Sequence, residues 1–510
     1  MKNHFRSFLT IILSSCLLIC PNMNIHGQVQ GLKLSDYVNP DYHYQRLDVG
    51  LNFNSGFNNN QSKTEWGSLN TTRTSKYSSL SSTISPEYYR TSNSSRYQGS
   101  QLISITLSDQ FSGNNNGSST SNYNSKVNES QNFLNLSLGS TNRFYFKPKY
   151  FFELNPRLNI RASMDVSGSK DTDSTGLVQV QSKFHKNYFG DAEGVGIYAG
   201  IGRIEMVQDV QTAAFILNDL ARVNRVKSSI SQDDVFELAR LITQLRTTRF
   251  FDTRIQKIRE ITAIDSLLQK NGWVGKADAA YFTTINDNWN YAFNPVRSSG
   301  YRLYAGTEPF LQNNISIEKT TNIIPLSDDL KTRKKYLSLE TPVIIGFIWE
   351  KPSSLKWQHT LVTSLEWYYS MGESRQKQLL PVEGDEFMER QVTLTYWSYD
   401  FGYSLGFYPT TRTNMTVGIN SSIYSNKSKQ ESANQPTWDG IKHFSSNIQL
   451  FFNTNYYISE RLRFLVNARI GWPVNKNESG TPPDPNYINM KTRDSDFGAS
   501  LSASFTYSLF

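Results

Sequence analysis

Catalysis is the first chemistry to test, and four histidines beyond the leading segment could serve it: His43, His185, His359 and His443. None has a second His, Cys or acid at the spacing that sets two metal ligands on one helix face, and no Gly-x-Ser-x-Gly elbow presents a nucleophilic serine. His359 shares the apolar parity of its segment with Trp357 and Leu361, which suits an interfacial side chain better than a proton carrier. Gly200-x-Gly202 before a helical stretch starts like a phosphate-binding turn. The third glycine and the downstream acid for a ribose have no match, so Gly200, Gly202, Arg203 and Glu205 read as a close-packed junction with Arg203 and Glu205 as its clasp. No enzyme, metal or cofactor is expected.

A second set carries charge: Arg46, Asp48, Arg157, Arg161, Asp165, Arg302, Glu340, Lys356, Glu366, Arg463 and Arg469. If these residues share one face around a water-filled bore they set its ion preference; in a filled interior they pair across it. Both readings stay open, and both require elements that alternate in polarity.

That alternation is present. From Phe497 the odd positions read Phe497, Ala499, Leu501, Ala503, Phe505, Tyr507 and Leu509, against Gly498, Ser500, Ser502, Ser504, Thr506 and Ser508. A period of two sustained over thirteen residues is a strand with one apolar and one wet side, longer than the five or six usual in soluble proteins. Leu462, Phe464, Val466, Ala468, Ile470 and Trp472 repeat the pattern opposite Arg461, Arg463, Asn467 and Arg469, and similar runs recur from Leu47 onward. Short turns (91–95, 147–149, 351–354, 409–411, 458–460) alternate with long polar loops (58–72, 113–124, 167–176, 372–389, 425–440, 473–494). Sorting loops by length belongs to a transmembrane barrel, and the count comes to about fourteen strands. The stretch 177–205 reads as one long strand or two pieces, and a parity switch at Tyr396-Trp397 predicts a β-bulge. Outward rings such as Trp349, Trp357, Trp367, Tyr369 and Trp472 suit interfacial girdles.

The 510 residues are 38% hydrophobic and 13% aromatic, with a formal charge of +8. That is too polar for a helical membrane protein and too aromatic for a disordered one. Residues 1–27 combine Lys2 and Arg6 with an apolar run from Phe8 to Cys20, the parts of a secretory signal peptide, so the mature chain is expected to start near Gln28 and to lose both cysteines, Cys16 and Cys20. No other segment has the ~18 apolar residues of a membrane-crossing helix.

Between 206 and 295 the period lengthens to that of a helix. Stripes run through Val210, Ala213, Ala214, Leu217, Leu220 and Ala221, then Val235, Leu238, Ala239, Ile242 and Leu245, then Ile255, Ile258, Ile261 and Leu268. Ser231 is a fitting N-cap and Asn271-Gly272 a fitting stop. This insert of three or more helices divides two half-barrels, 28–205 and 296–510. Loop parity puts it on the periplasmic side, with a plug inside the barrel as the less favoured placement. Its basic run at Arg246, Arg249, Arg254, Lys257 and Arg259 suits a solvated face or a surface for a periplasmic protein partner.

The alternating strands and the ending Phe505-Thr506-Tyr507-Ser508-Leu509-Phe510 resemble the bacterial outer-membrane β-barrel family, and the Ser/Asn- and Tyr/Phe-rich idiom looks like barrels of the Bacteroidota. The resemblance implies the outer membrane of a Gram-negative cell, a lipid environment, and a barrel-assembly machinery that reads Phe505, Tyr507, Leu509 and Phe510. Phe510 departs from the family pattern, standing one step out of phase with Tyr507 and Leu509. No nucleic-acid partner is expected. The expected fold is an all-β transmembrane barrel with a helical periplasmic insert. The expected function is a channel or transporter for small or amphiphilic solutes, or alternatively a scaffold that anchors the helical domain to an envelope complex.

Overall fold

The computed structural model describes residues 31–507, except 67–68, 119–122, 174–176, 228, 249–252, 292–296, 325–329, 380–385, 433–434, 439–441, 460–461 and 479–490. The expected signal peptide, Leu509 and Phe510 lie outside the described residues.

Among the described residues the period-two segments become one antiparallel sheet of eighteen strands. The first half holds β1 (Tyr42–Trp66), β2 (Leu69–Asn93), β3 (Tyr97–Ser118), β4 (Tyr123–Tyr145), β5 (Tyr150–Thr172), β6 (Val178–Ile201) and the short β7 (Ile204–Met206). The second holds β8 (Ser298–Thr307), β9 (Phe310–Ile324), β10 (Leu330–Pro352), β11 (Trp357–Leu379), β12 (Glu386–Thr410), β13 (Thr413–Ser432), β14 (Gln435–Trp438), β15 (Lys442–Tyr457), β16 (Leu462–Glu478), β17 (Lys491–Ser495) and β18 (Gly498–Tyr507). The stretch 177–205 is one long strand, β6, followed by the three-residue β7.

Register carries the two-sided pattern from strand to strand. Leu47 stands opposite Tyr88, Ile105 opposite Leu136, Leu136 opposite Ile160, and Leu361 opposite Tyr403, so one face is continuously apolar. That face looks outward: Leu51 is 61% and Leu501 68% exposed. A contiguous apolar belt of this extent is stable only against hydrocarbon or another protein.

Three expectations are corrected. The long polar loops are mostly strand: Phe57 pairs with Ser78 and the ladder continues to Trp66 opposite Leu69, inside the expected loop 58–72. Likewise β3 and β4 stay paired up to Ser118 and Tyr123, inside the expected loop 113–124. Backbone pairing asks only for a fixed register, which Ser- and Asn-rich segments keep once an apolar stretch has set it. A tilted strand crosses an apolar band in about 9–11 residues, so more than half of the 25 residues of β1 extend beyond it. The bulge expected at Tyr396-Trp397 is absent: Tyr368 pairs with Tyr396 and Trp367 with Trp397 without a shift. The parity change instead reflects Leu394 and Tyr396 on the inner face; the shift in β12 falls between Phe407 and Thr410.

The third concerns closure. The long strands from β2 to β16 are paired on both sides, but among the described residues no pairing joins β18 to β1. Those two are the free edges of the sheet. They run antiparallel, with apolar positions outward on both.

Among its described residues the insert has four helices: α1 (Gln208–Arg222), α2 (Gln232–Thr247), α3 (Thr253–Lys270) and α4 (Ala279–Asn290). Ser231 and Asp234 form a capping box at α2, and Gly272, at φ +69°, ends α3. Val210, Ala213, Ala214, Leu217 and Leu220 of α1 are fully buried with Val235, Leu238, Ala239 and Ile242 of α2. On α3 the C-terminal half of the expected stripe holds, with Leu268 buried and Ile261 packed against the core beside Ile264, whereas Ile255 and Ile258 are exposed. Asp278 caps α4 and binds Arg225 at 2.7 Å, which holds its carboxyl down at about 2.

Edge amides left bare in hydrocarbon cost several kcal/mol each, so in a bilayer β1 and β18 are expected to pair. A cysteine at Asn52, tested singly against cysteines at Ser500, Ser502 and Ser504, should give one dominant oxidised cross-link in vesicles. Absence of any cross-link in a folded, membrane-inserted sample rules out a closed seam.

Candidate functional site

The inner face carries the polar parity. Four of the expected charges, Arg157, Arg302, Glu340 and Glu366, line one cavity of about 690 Å³ together with Arg143, Glu153, Tyr198, Tyr304 and Glu308. β4, β5, β6 and β8 supply the basic side, and β10 and β11 supply Glu340 and Glu366. Two ion pairs hold part of this charge. Arg143 pairs with Glu153, and Arg157 reaches Glu308 at 2.7 Å, whose other oxygen accepts from the Tyr198 hydroxyl at 2.6 Å.

The rest is unbalanced. Among the described residues neither the Glu340 nor the Glu366 carboxylate has a hydrogen-bond or ion-pair partner, and the Arg302 Nε meets no acceptor. A charge held dry without a partner costs several kcal/mol, so these groups require water, ions or solute in the space they face.

Arg143, Glu153 and Glu308 were missed from sequence. Arg143 and Glu153 flank a short turn where alternation fades, and Glu308 sits in the gap between β8 and β9. Arg143 and Glu153 could have been found by extending the inward parity of β4 and β5 to the turn, since they pair directly across that ladder.

The other expected residues are scattered. Arg46 pairs with Asp48 at 2.9 Å and lies over the Tyr89 ring. Arg161 lies over Phe133, and Asp165 stands opposite Lys186. Arg463 stands opposite Thr506 and Arg469 opposite Ser500, away from the cavity. Lys356 is corrected: it precedes β11, in the turn after β10, because β11 begins only at Trp357. Of the terminal signal, Phe505 packs on Phe464 with ring centres 4.7 Å apart and Tyr507 pairs with Leu462. His359 contacts Tyr403 on the outer face at 2.8 Å.

The helices lie across the short-turn end, below the cavity. At the junction, Gly202 adopts φ +101°, where a Cβ would stand 2.1 Å from the Tyr301 carbonyl oxygen, and its N–H donates to Lys149. Gly200 is likewise packed against Phe151 and the Leu303 carbonyl. Arg203 pairs with Glu205, donates to the carbonyls of Ser94 (2.8 Å) and Ser95 (3.0 Å), and lies over the Tyr145 ring.

Two more arginines fasten the other side. Arg297 is 1% exposed and donates to the carbonyls of Leu355 (2.5 Å), Ser354 (3.0 Å) and Trp357 (2.8 Å) while stacking on Tyr408. Burial with no acid beside it pulls its guanidinium down to about 10. Arg412, in the turn between β12 and β13, pairs with Asp287 of α4 and covers the Tyr291 ring at 4.8 Å. On the N-terminal side Tyr37 is buried against Phe236 and faces Thr243, and the loss of water pushes its phenol up to about 12. The bundle is thereby tied to turns around the rim.

Replacing Arg297 with Met leaves three carbonyls facing an apolar side chain. Leaving a buried carbonyl acceptor unpaired costs about 1–3 kcal/mol. Amide exchange in 353–356 and α1 should accelerate while the strands remain protected; unchanged protection in both would show that Arg297 does not hold the cap.

No family model matches the chain, and no curated protein matches it. Among solved structures, the chain is similar to the beta domain of the Bordetella autotransporter BrkA at a TM-score of 0.19 and 8% identity, over 81% of this chain and 99% of that one.

Proposed function

We propose that the protein is an integral outer-membrane β-barrel that conducts small or amphiphilic solutes through its lumen, with the helical bundle as a cap or gate on the periplasmic mouth. Taking β8 with β9, β14 with β15 and β17 with β18 as single staves, and β7 as the start of the junction, the described strands make fourteen staves. That number lies between filled eight-stranded barrels and open sixteen-stranded porins. The outward belt of Leu, Val and Phe supports hydrocarbon contact. The observation that carries conduction is the set of unneutralised charges, Arg302, Glu340 and Glu366, around one inner cavity. A wall serving only as an anchor has no use for them.

A scaffold role is the second reading, favoured by the arginine ties that spread the helices across the rim. Single-channel recording separates the two. The purified protein should show a stable unit conductance with weak cation preference, and the double change Glu340→Gln with Glu366→Gln should move the reversal potential toward anions. Arg302→Gln should move it the opposite way. A folded barrel that never conducts overturns the channel reading and leaves the scaffold.

A further inference from the structure

Above the charged cavity the inner face carries a row of rings. Tyr368 of β11 and Tyr396 of β12 are direct partners with ring centres 4.8 Å apart; Tyr396 and Tyr424 of β13 are 5.9 Å apart; Tyr424 and His443 of β15 are 5.2 Å apart. All four belong to the inward parity, because Tyr368 pairs with Pro342 of the cavity wall and the register carries that face across β12 and β13 to β15. The Tyr424 hydroxyl and His443 Nε2 are 2.7 Å apart, and His443 Nδ1 contacts Asn477. The rings are half-buried and tilted to one another by 34° to 52°, so each leaves part of a face toward the lumen.

We infer that this arc, Tyr368–Tyr396–Tyr424–His443, is a binding track for an oligosaccharide. The inference rests on the channel reading and names its solute class. Four successive rings match an extended ligand with repeated apolar faces better than a compact ion. Pyranose rings offer such faces through their C–H edges, and their hydroxyls need polar partners beside each contact. Asn426, half-buried, stands directly between Tyr396 and His443 in the ladder and is such a partner. Glu366 lies two residues below Tyr368 on the same face and is free to accept from a hydroxyl. An anionic polymer is disfavoured by Glu340 and Glu366 below the arc.

The test is blockade of single-channel current by maltohexaose and by chitohexaose, with equilibrium dialysis of the same sugars against detergent-solubilised protein. At least one sugar should block. Tyr396→Ala should raise the half-blocking concentration at least tenfold, Tyr396→Phe should largely restore it, and Tyr88→Ala on the outer face should leave it unchanged. Heat-modifiable migration checks that each variant folds. A conducting barrel that neither sugar blocks, block equal in Tyr396→Ala, or block by tetraethylammonium alone overturns the track. If the barrel is silent, dialysis decides: binding lost in Tyr396→Ala keeps the track while the channel reading fails, and no binding overturns both.

Discussion

Pairing of backbone amides from strand to strand governs this molecule. Inside hydrocarbon no solvent satisfies an N–H or C=O, so a chain whose apolar residues alternate must meet that demand between strands. Among the described residues the long inner strands satisfy it on two sides. The side-chain pattern then follows: one parity faces outward as Leu, Val and Phe, and the other is free to be Arg, Glu, Ser or Tyr. The charged cavity and the tyrosine arc exist because half of each strand's positions are released from the apolar requirement.

The same constraint explains why the wall and the insert are built so differently. The sheet spends its apolar residues outside and leaves its interior polar. The bundle is an ordinary soluble core, with Val210, Leu217, Leu238 and Ile242 fully buried around α1. Contacts between the two are mixed: guanidinium groups donating to turn carbonyls or pairing with Asp287, backed by aromatic rings, with Leu355 of a turn packed against the bundle core. Such contacts fasten a soluble unit to strand ends without asking either to rebuild its interior.

Alternation and helical period were readable because each is a local property of a few successive residues. The outward face of β18, the turns and the first two helical stripes depend on nothing else. What escaped was non-local. The length of β1 and β2 above the apolar belt is set by ladder register, and their Asn- and Ser-rich tips look like loops in isolation. The assumed bulge at Tyr396 came from expecting every apolar residue to face outward, whereas Leu394 and Tyr396 face in. The cavity needed residues far apart in the chain, Tyr198 with Glu308 at a separation of 110 and Arg143 with Arg302 at a still larger one, to be brought to one inner surface. On α3 the stripe reached too far toward the N-terminus: Leu268 and Ile261 meet the core, but Ile255 and Ile258 are exposed.

The bundle leaves and rejoins the wall between strands that already touch: Ile201 pairs with Leu303, and Met206 with Ser298. Topologically the whole helical unit is an overgrown β-hairpin connection. A two-residue reverse turn in its place would keep strand order, polarity and parity intact, which makes the unit modular: excisable, exchangeable, and acquired without any change to the stave arrangement around it.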